Sequence, residues 1–251
     1  MSARLFIDTA LAADQELALP EAAARHVQVL RLQPGEALRL FNGLGGEWAA
    51  RIEHMGRRDV QVRVLSAMEV DRELPLPVTL AVGMPANERF EWLIEKATEL
   101  GVAAIEPLVC ERSVVRSAAE RAQRKLEHWR GVAIAAAEQC GRTRVPRIEP
   151  VQSFAQWLKA RQAHADLPLL LLAFGDARPL GTLPASAWRQ GPGLRVLSGP
   201  EGGLSPGEEQ GARALGATAA RLGPRVLRAE TAPLAVLATL ASMLEMESPD
   251  A

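Results

Sequence analysis

A chain of 251 residues, 48% hydrophobic and 24% charged, holds enough apolar material for one large domain or two smaller ones and is far from the composition of a disordered chain. Its formal net charge of -1 excludes a uniformly basic nucleic-acid binder. No run approaches the roughly 20 apolar residues of a membrane span, and the opening MSARLFIDTA lacks the charged-then-apolar order of a secretory signal, so the expectation is a cytoplasmic protein with no membrane partner.

In chain order, the first elements are short runs of alternating polarity, clearest where Val60, Val62 and Val64 flank Gln61 and Arg63. Glycine-bearing turns in FNGLGGEW (Phe41 to Trp48) and MGRRD (Met55 to Asp59) separate these runs, and LPEAAARHVQVLR (Leu19 to Arg31) predicts one short helix. The pattern is that of a small β-barrel with a helix. The prolines of RELPLPV (Arg72 to Val78) interrupt regular structure and divide residues 1–73 from 74–251.

Beyond that boundary strand-like runs alternate with longer helical patterns, the signature of βαβ units on a mainly parallel sheet. VTLAVGM opens it. NERFEWLIEKATELG then places Phe90, Leu93, Ile94, Ala97 and Leu100 on one helical face, with Asn87 as N-cap and Gly101 past the end. VAAIEPLV is a strand. Ser117 and Glu120 have capping-box spacing ahead of a helix carrying Leu126, Trp129, Ala133 and Ala136, which Gly141 ends. LPLLLLAF and GLRVLSG are further buried strands.

Cys110 and Cys140 are read as buried thiols outside any disulfide, and His26, His54, His128 and His164 are scattered without ligand spacing, so no metal is expected. One stretch is basic: Arg112 to Arg147 holds nine Arg or Lys against Glu120, Glu127 and Glu138. A solvated helix face and a nucleic-acid groove both fit that charge.

SGPEGGLSPGE (Ser198 to Glu208) joins a strand end to a helix. It has no P-loop lysine, and the chain shows no GxGxxG, GxSxG or HExxH. What remains is a glycine loop that lets a ligand lie against main-chain amides, with Ser205, Pro206 and Glu208 as N-cap, N1 proline and capping-box acid of the next helix. In Arg221 to Glu245 a strand ends at Gly223 and Pro224 before a very apolar helix. Its Leu234, Val236, Leu237, Leu240, Met243 and Leu244 cover most faces, which a subunit interface would bury. Arg225, Arg228 and Glu230 fall where a parallel sheet presents its ligand edge, or form a surface salt-bridge cluster.

Together KATELGV (Lys96 to Val102), AAEQCGR (Ala136 to Arg142), SGPEGGLSPGE and LGPRVLRAETA (Leu222 to Ala232) resemble the ribosomal RNA small subunit methyltransferase E family of the SPOUT superfamily, and HVQVLR (His26 to Arg31) resembles that family's PUA-like RNA-binding barrel. The resemblance implies an α/β fold whose C-terminal parallel sheet is tied in a deep trefoil knot, a homodimer, and S-adenosylmethionine-dependent methylation of uridine N3 in the 16S ribosomal RNA of the small subunit. The donor is expected at Leu172, Phe174, Leu197, Ser198, Gly199, Pro200, Glu201, Gly202, Gly203, Leu222, Gly223, Arg225, Val226, Leu227 and Ala232. Arg228 and Arg225 are candidates for anion stabilisation or phosphate contact, and Glu201 or Glu230 for the base. RNA contacts fall to Arg4, Arg31, Arg112, Arg116, Arg142 and Arg144, with His26 read as a helix residue or a further contact. The sequence departs from the family in PANERF, where Ala86 and Asn87 stand in place of a lysine and a glycine. Two other readings are an assembly factor of the same fold without catalysis and a nucleotide-binding enzyme on a doubly wound sheet. The intact glycine loop and RAETA weigh against the former, and the missing nucleotide fingerprints against the latter.

Overall fold

In a computed structural model, which describes residues 2–57, 59–113, 119–163 and 167–245, the alternating runs near the start become β1 (Ala3–Phe6), β2 (Glu16–Ala18), β3 (Ala37–Phe41), β4 (Glu47–Met55) and β5 (Val60–Met68), with α1 (Glu21–Val29) between β2 and β3. The strands make one sheet in the order β1-β3-β4-β5-β2, parallel between β1 and β3 and antiparallel elsewhere. Period-two alternation sends Val60, Val62 and Val64 to one face, where they join Leu5, Leu38, Leu40 and Ile52 under Ala24 and Val27 of α1. Burial of these side chains stabilises the sheet by roughly 25 cal/mol per Å² of apolar surface removed from water.

The chain divides into two units, Met1–Glu73 with Ile134–Val145, and Leu74–Ala133 with Pro146–Ala251. The division expected at residue 73 therefore differs in one segment, Ile134–Val145. Arg4 supplies the physical reason. Its Nη1 donates to the carbonyls of Ala137 and Glu138 (3.0 and 3.1 Å), its Nη2 to that of Arg142 (3.0 Å), and the Phe6 N–H donates to Glu138 Oε1 (2.8 Å).

Among the described residues of the second unit every sheet pairing is parallel. The elements are β6 (Val78–Gly83), α2 (Asn87–Glu99), β7 (Ala104–Val109), α3 (Ala119–Cys140, whose end belongs to the first unit), β8 (Arg147–Ile148), β9 (Gln152–Ser153), α4 (Phe154–Ala163), β10 (Leu169–Leu172), β11 (Arg178–Pro179), β12 (Leu194–Ser198), α5 (Pro206–Ala214), β13 (Thr218–Arg221) and α6 (Thr231–Glu245). The order is β11-β13-β10-β12-β6-β7-β8, with β9 also beside β7. Central strands such as β6 and β12 are buried along their whole length, which is why they read as unbroken apolar runs rather than alternating ones.

The faces expected for α2 and α3 are present. Phe90, Leu93, Ile94 and Ala97 are buried, and the Phe90 ring meets Trp129 of α3 edge-on at 4.7 Å. Gly101 follows α2 with φ of +89°, the left-handed turn that favours glycine. Asn87 is not the N-cap: Ala86 holds that position with no side-chain cap, and Asn87 is the first helical residue. Ser117 and the side chain of Glu120 lie outside the described residues. At α5 the capping box is formed, Ser205 Oγ accepting the Glu208 N–H (3.3 Å) and Glu208 Oε2 accepting the Ser205 N–H (2.8 Å). Leu234, Val236, Leu237, Leu240 and Leu244 of α6 are already buried within one chain, so their apolarity does not call for cover by a second subunit.

Candidate active site

Because β13, β10 and β12 are adjacent and parallel, the segments following them emerge at one edge of the sheet. There they enclose a cavity of ≈ 710 Å³, within the range of small-molecule sites. Of the residues expected at the donor, Leu172, Phe174, Ser198, Gly199, Pro200, Glu201, Gly202, Gly203, Leu222, Arg225, Val226, Leu227 and Ala232 line it, and so does Arg228. Leu197, Gly223 and Glu230 do not. Leu197 points into the core beside Ala81 and Leu171, Gly223 turns the chain after β13, and Glu230 is buried at the head of α6.

The glycines of the loop have a different physical reason from the expected one. A Cβ on Gly199 would lie 2.8 Å from the Leu204 nitrogen, and one on Gly202 would lie 2.9 Å from Arg112 Cβ. Chain-on-chain packing claims both faces. Gly203 is the open one, with nothing near its absent Cβ, and its φ of +68° accounts for glycine there. Arg112, expected to meet RNA, places Nη1 against the back of this loop, 3.3 Å from the Gly202 carbonyl and 3.4 Å from that of Leu204.

Charge at the cavity is arranged in two ways. Arg225 and Arg228 are exposed, and among the described residues neither is in an ion pair. Arg89 of α2 also lines the cavity, its Nη1 3.7 Å from Glu201 Oε1 and its Nε 3.8 Å from Glu230 Oε1. Glu201 Oε1 accepts the Ala86 N–H as well, at 3.1 Å. The other carboxylate oxygen of Glu230, Oε2, is buried with no hydrogen-bond partner among the described residues. Sequence reasoning missed Arg89. The available signal was topological: β6 runs parallel beside β12, so the first turn of the helix after β6 meets the same sheet edge as the glycine loop.

The residues expected to contact RNA separate by burial. Arg4 is committed to Glu47 (3.0 Å) and three carbonyls, and Arg142 is buried in an ion pair with Glu73, so neither is open to a phosphate. Arg31 and Arg144 are exposed, and His26 is half-buried with Nδ1 3.8 Å from Glu138 Oε2. Arg116 lies outside the described residues. Among the described residues no cluster of three or more His, Cys, Asp or Glu could hold a metal, and no helix is long and apolar enough to cross a membrane.

Against known proteins, a family model described as RNA methyltransferase domain matches residues 72–241 and one described as RNA methyltransferase PUA domain matches residues 19–65. The ribosomal RNA small subunit methyltransferase E of Bacillus subtilis is 34% identical over 225 residues, covering 88% of this chain and 87% of its own. That of Synechocystis is 33% identical over 252 residues, covering 98% and 79%. Among solved structures, a ribosomal RNA small subunit methyltransferase E from Neisseria gonorrhoeae bound to S-adenosyl methionine has a TM-score of 0.88 at 32% identity, covering 97% of this chain and 98% of its own. A Legionella pneumophila structure in complex with the cofactor SAM matches at the same TM-score of 0.88 and 36% identity, with the same coverage of 97% and 98%.

Proposed function

The chain belongs to the ribosomal RNA small subunit methyltransferase E family, and on that premise we propose that it transfers a methyl group from S-adenosylmethionine to N3 of a uridine in 16S ribosomal RNA. The observation that carries this reading is the cavity where three adjacent parallel strands end, walled by the glycine loop and by Leu222 and Arg225 to Leu227. The residues present suit the donor: Leu172, Val226 and Leu227 offer apolar surface to an adenosine, and the glycine-loop backbone offers hydrogen-bonding groups.

The donor supplies a methyl carbon on a sulfonium that needs no activation. The chain's own task is to make N3 a nucleophile and to hold it in line with that carbon. Uridine N3 is a weakly acidic imide, so its proton must leave and the charge left on the neighbouring carbonyl oxygens must be stabilised. Arg228 and Arg225, free of ion pairs among the described residues, are proposed for that anion or for the adjoining phosphate. Of the two carboxylates expected as the base, Glu201 lines the cavity and is proposed to take the proton, whereas Glu230 is buried outside the lining. The uridine is unstacked to reach the pocket. Arg31 and Arg144 are proposed to meet the RNA backbone, which makes affinity fall with added salt. The family relation also underlies the proposals of a homodimer, of a knotted C-terminal sheet and of a cytoplasmic place of action.

The test uses methyl-labelled donor with small ribosomal subunits lacking the modification, followed by mapping of the labelled base. Label at N3 of one uridine in 16S RNA is the expected result. Label on another base, or on no RNA, contradicts the reading.

A further inference from the structure

We propose that Arg89 is a positioning residue of the donor pocket, acting through Glu230 and Glu201 rather than on the reacting atoms. The inference rests on the donor reading of the cavity and deepens it. From the first turn of α2 the guanidinium lies within 4 Å of both carboxylates, 3.7 Å from the one on the glycine loop and 3.8 Å from the one at the head of α6. Those are two of the segments that wall the cavity, and one side chain from a third element ties them together.

Burial decides which pair matters more. The Glu201 side chain is 28% exposed and already accepts the Ala86 N–H, so water and that bond hold it when Arg89 is removed. The Glu230 side chain is 9% exposed, and its Oε2 has no hydrogen-bond partner among the described residues. Removing Arg89 therefore leaves a buried carboxylate with no ion-pair partner among the described residues, an arrangement relieved by taking up a proton or by moving the group toward water, and either change alters its packing. Glu230 sits between cavity-lining Ala229 and Ala232, so any such movement displaces the wall itself.

The experiment is calorimetric titration of S-adenosylmethionine into the full chain and its Arg89→Gln, Arg89→Lys and Arg89→Gln/Glu230→Gln variants, alongside donor KM and kcat in the labelled-subunit assay. Arg89→Gln is expected to raise the donor Kd about tenfold, with KM rising more than kcat falls. The double variant, which removes the stranded charge, is expected to recover much of that affinity. Arg89→Lys, able to reach one carboxylate at a time, is expected to fall between. A Kd for Arg89→Gln within twofold of the parent, a tighter one drawn by two released carboxylates, or a double variant weaker than the single one overturns the inference. Should Arg89→Gln fail to fold, a lysine variant indistinguishable from the parent does the same. A parent protein that binds no donor removes the donor reading itself, whereas donor binding indifferent to Arg89 removes only this inference.

Discussion

Glu47 shows how one buried carboxylate organises its surroundings. It sits inside the first unit with Arg4 3.0 Å away and Arg39 also on its oxygens. Burial pushes its carboxyl up, but hydrogen bonds from Arg4 and Arg39, with the charge of both, more than offset this and hold it below the ordinary value of 4.5. A carboxylate depressed in the folded state contributes stability that is fully present above the ordinary value and is lost as pH falls through the folded one. Glu47→Gln is therefore expected to cost about 3 kcal/mol near neutral pH, because Arg4 loses its countercharge in the interior. The gap from the parent should close as pH falls below 4.5 and through the folded value. Thermal denaturation across pH reads both, and a gap that widens on acidification contradicts the assignment. Glu106 is the counterpart in the second unit, buried in β7 with Trp157 Nε1 donating to it at 2.7 Å and Arg195 Nε 3.2 Å away. Inside VAAIEPLV it reads as one polar position in an apolar run, because its partners lie far along the chain.

Among the elements, α5 carries the loop that walls the cavity, and its start is set by local chemistry. Ser205→Ala removes the acceptor for the Glu208 N–H and is expected to cost about 1 kcal/mol in thermal unfolding, with a weaker donor as the loop's end loosens. An unchanged melting temperature contradicts the role given to the cap. This box was legible because both halves lie within four residues of one another. The same holds for Gly101 after α2 and for the valine alternation of β5, where the signal is short-range. Asn87 misled because the N-cap preference is a tendency. The Ala86 N–H is satisfied by Glu201 from the glycine loop, which no local pattern announces. Arg4 and Arg142 misled for a related reason: a basic side chain looks free in a sequence, and only the fold supplies its carboxylate. The glycines of Gly199 to Gly203 were singled out for the close approach of a ligand, yet two of them accommodate the chain itself.

For the whole molecule, order along the chain located the cavity better than any single residue did. Three motifs far apart in sequence fall at one sheet edge because β13, β10 and β12 are parallel neighbours, and the family relation extends over both the PUA match and the methyltransferase match. What the sequence could not show was membership of units. Ile134–Val145 leaves the run of the second unit to join the first, through contacts with β1 that no composition shift marks. The apolarity of α6 suggested a second subunit, yet the single chain already buries Leu234, Val236, Leu237, Leu240 and Leu244 and leaves Met243 half-buried. We propose that the edge formed by β10, β12 and β13 holds the methyl donor. A crystal structure of the full chain grown with S-adenosylhomocysteine tests it most directly. Ligand density is expected between Leu172, the Gly199 to Gly203 loop and Leu227; density at any other place on the chain contradicts this placement.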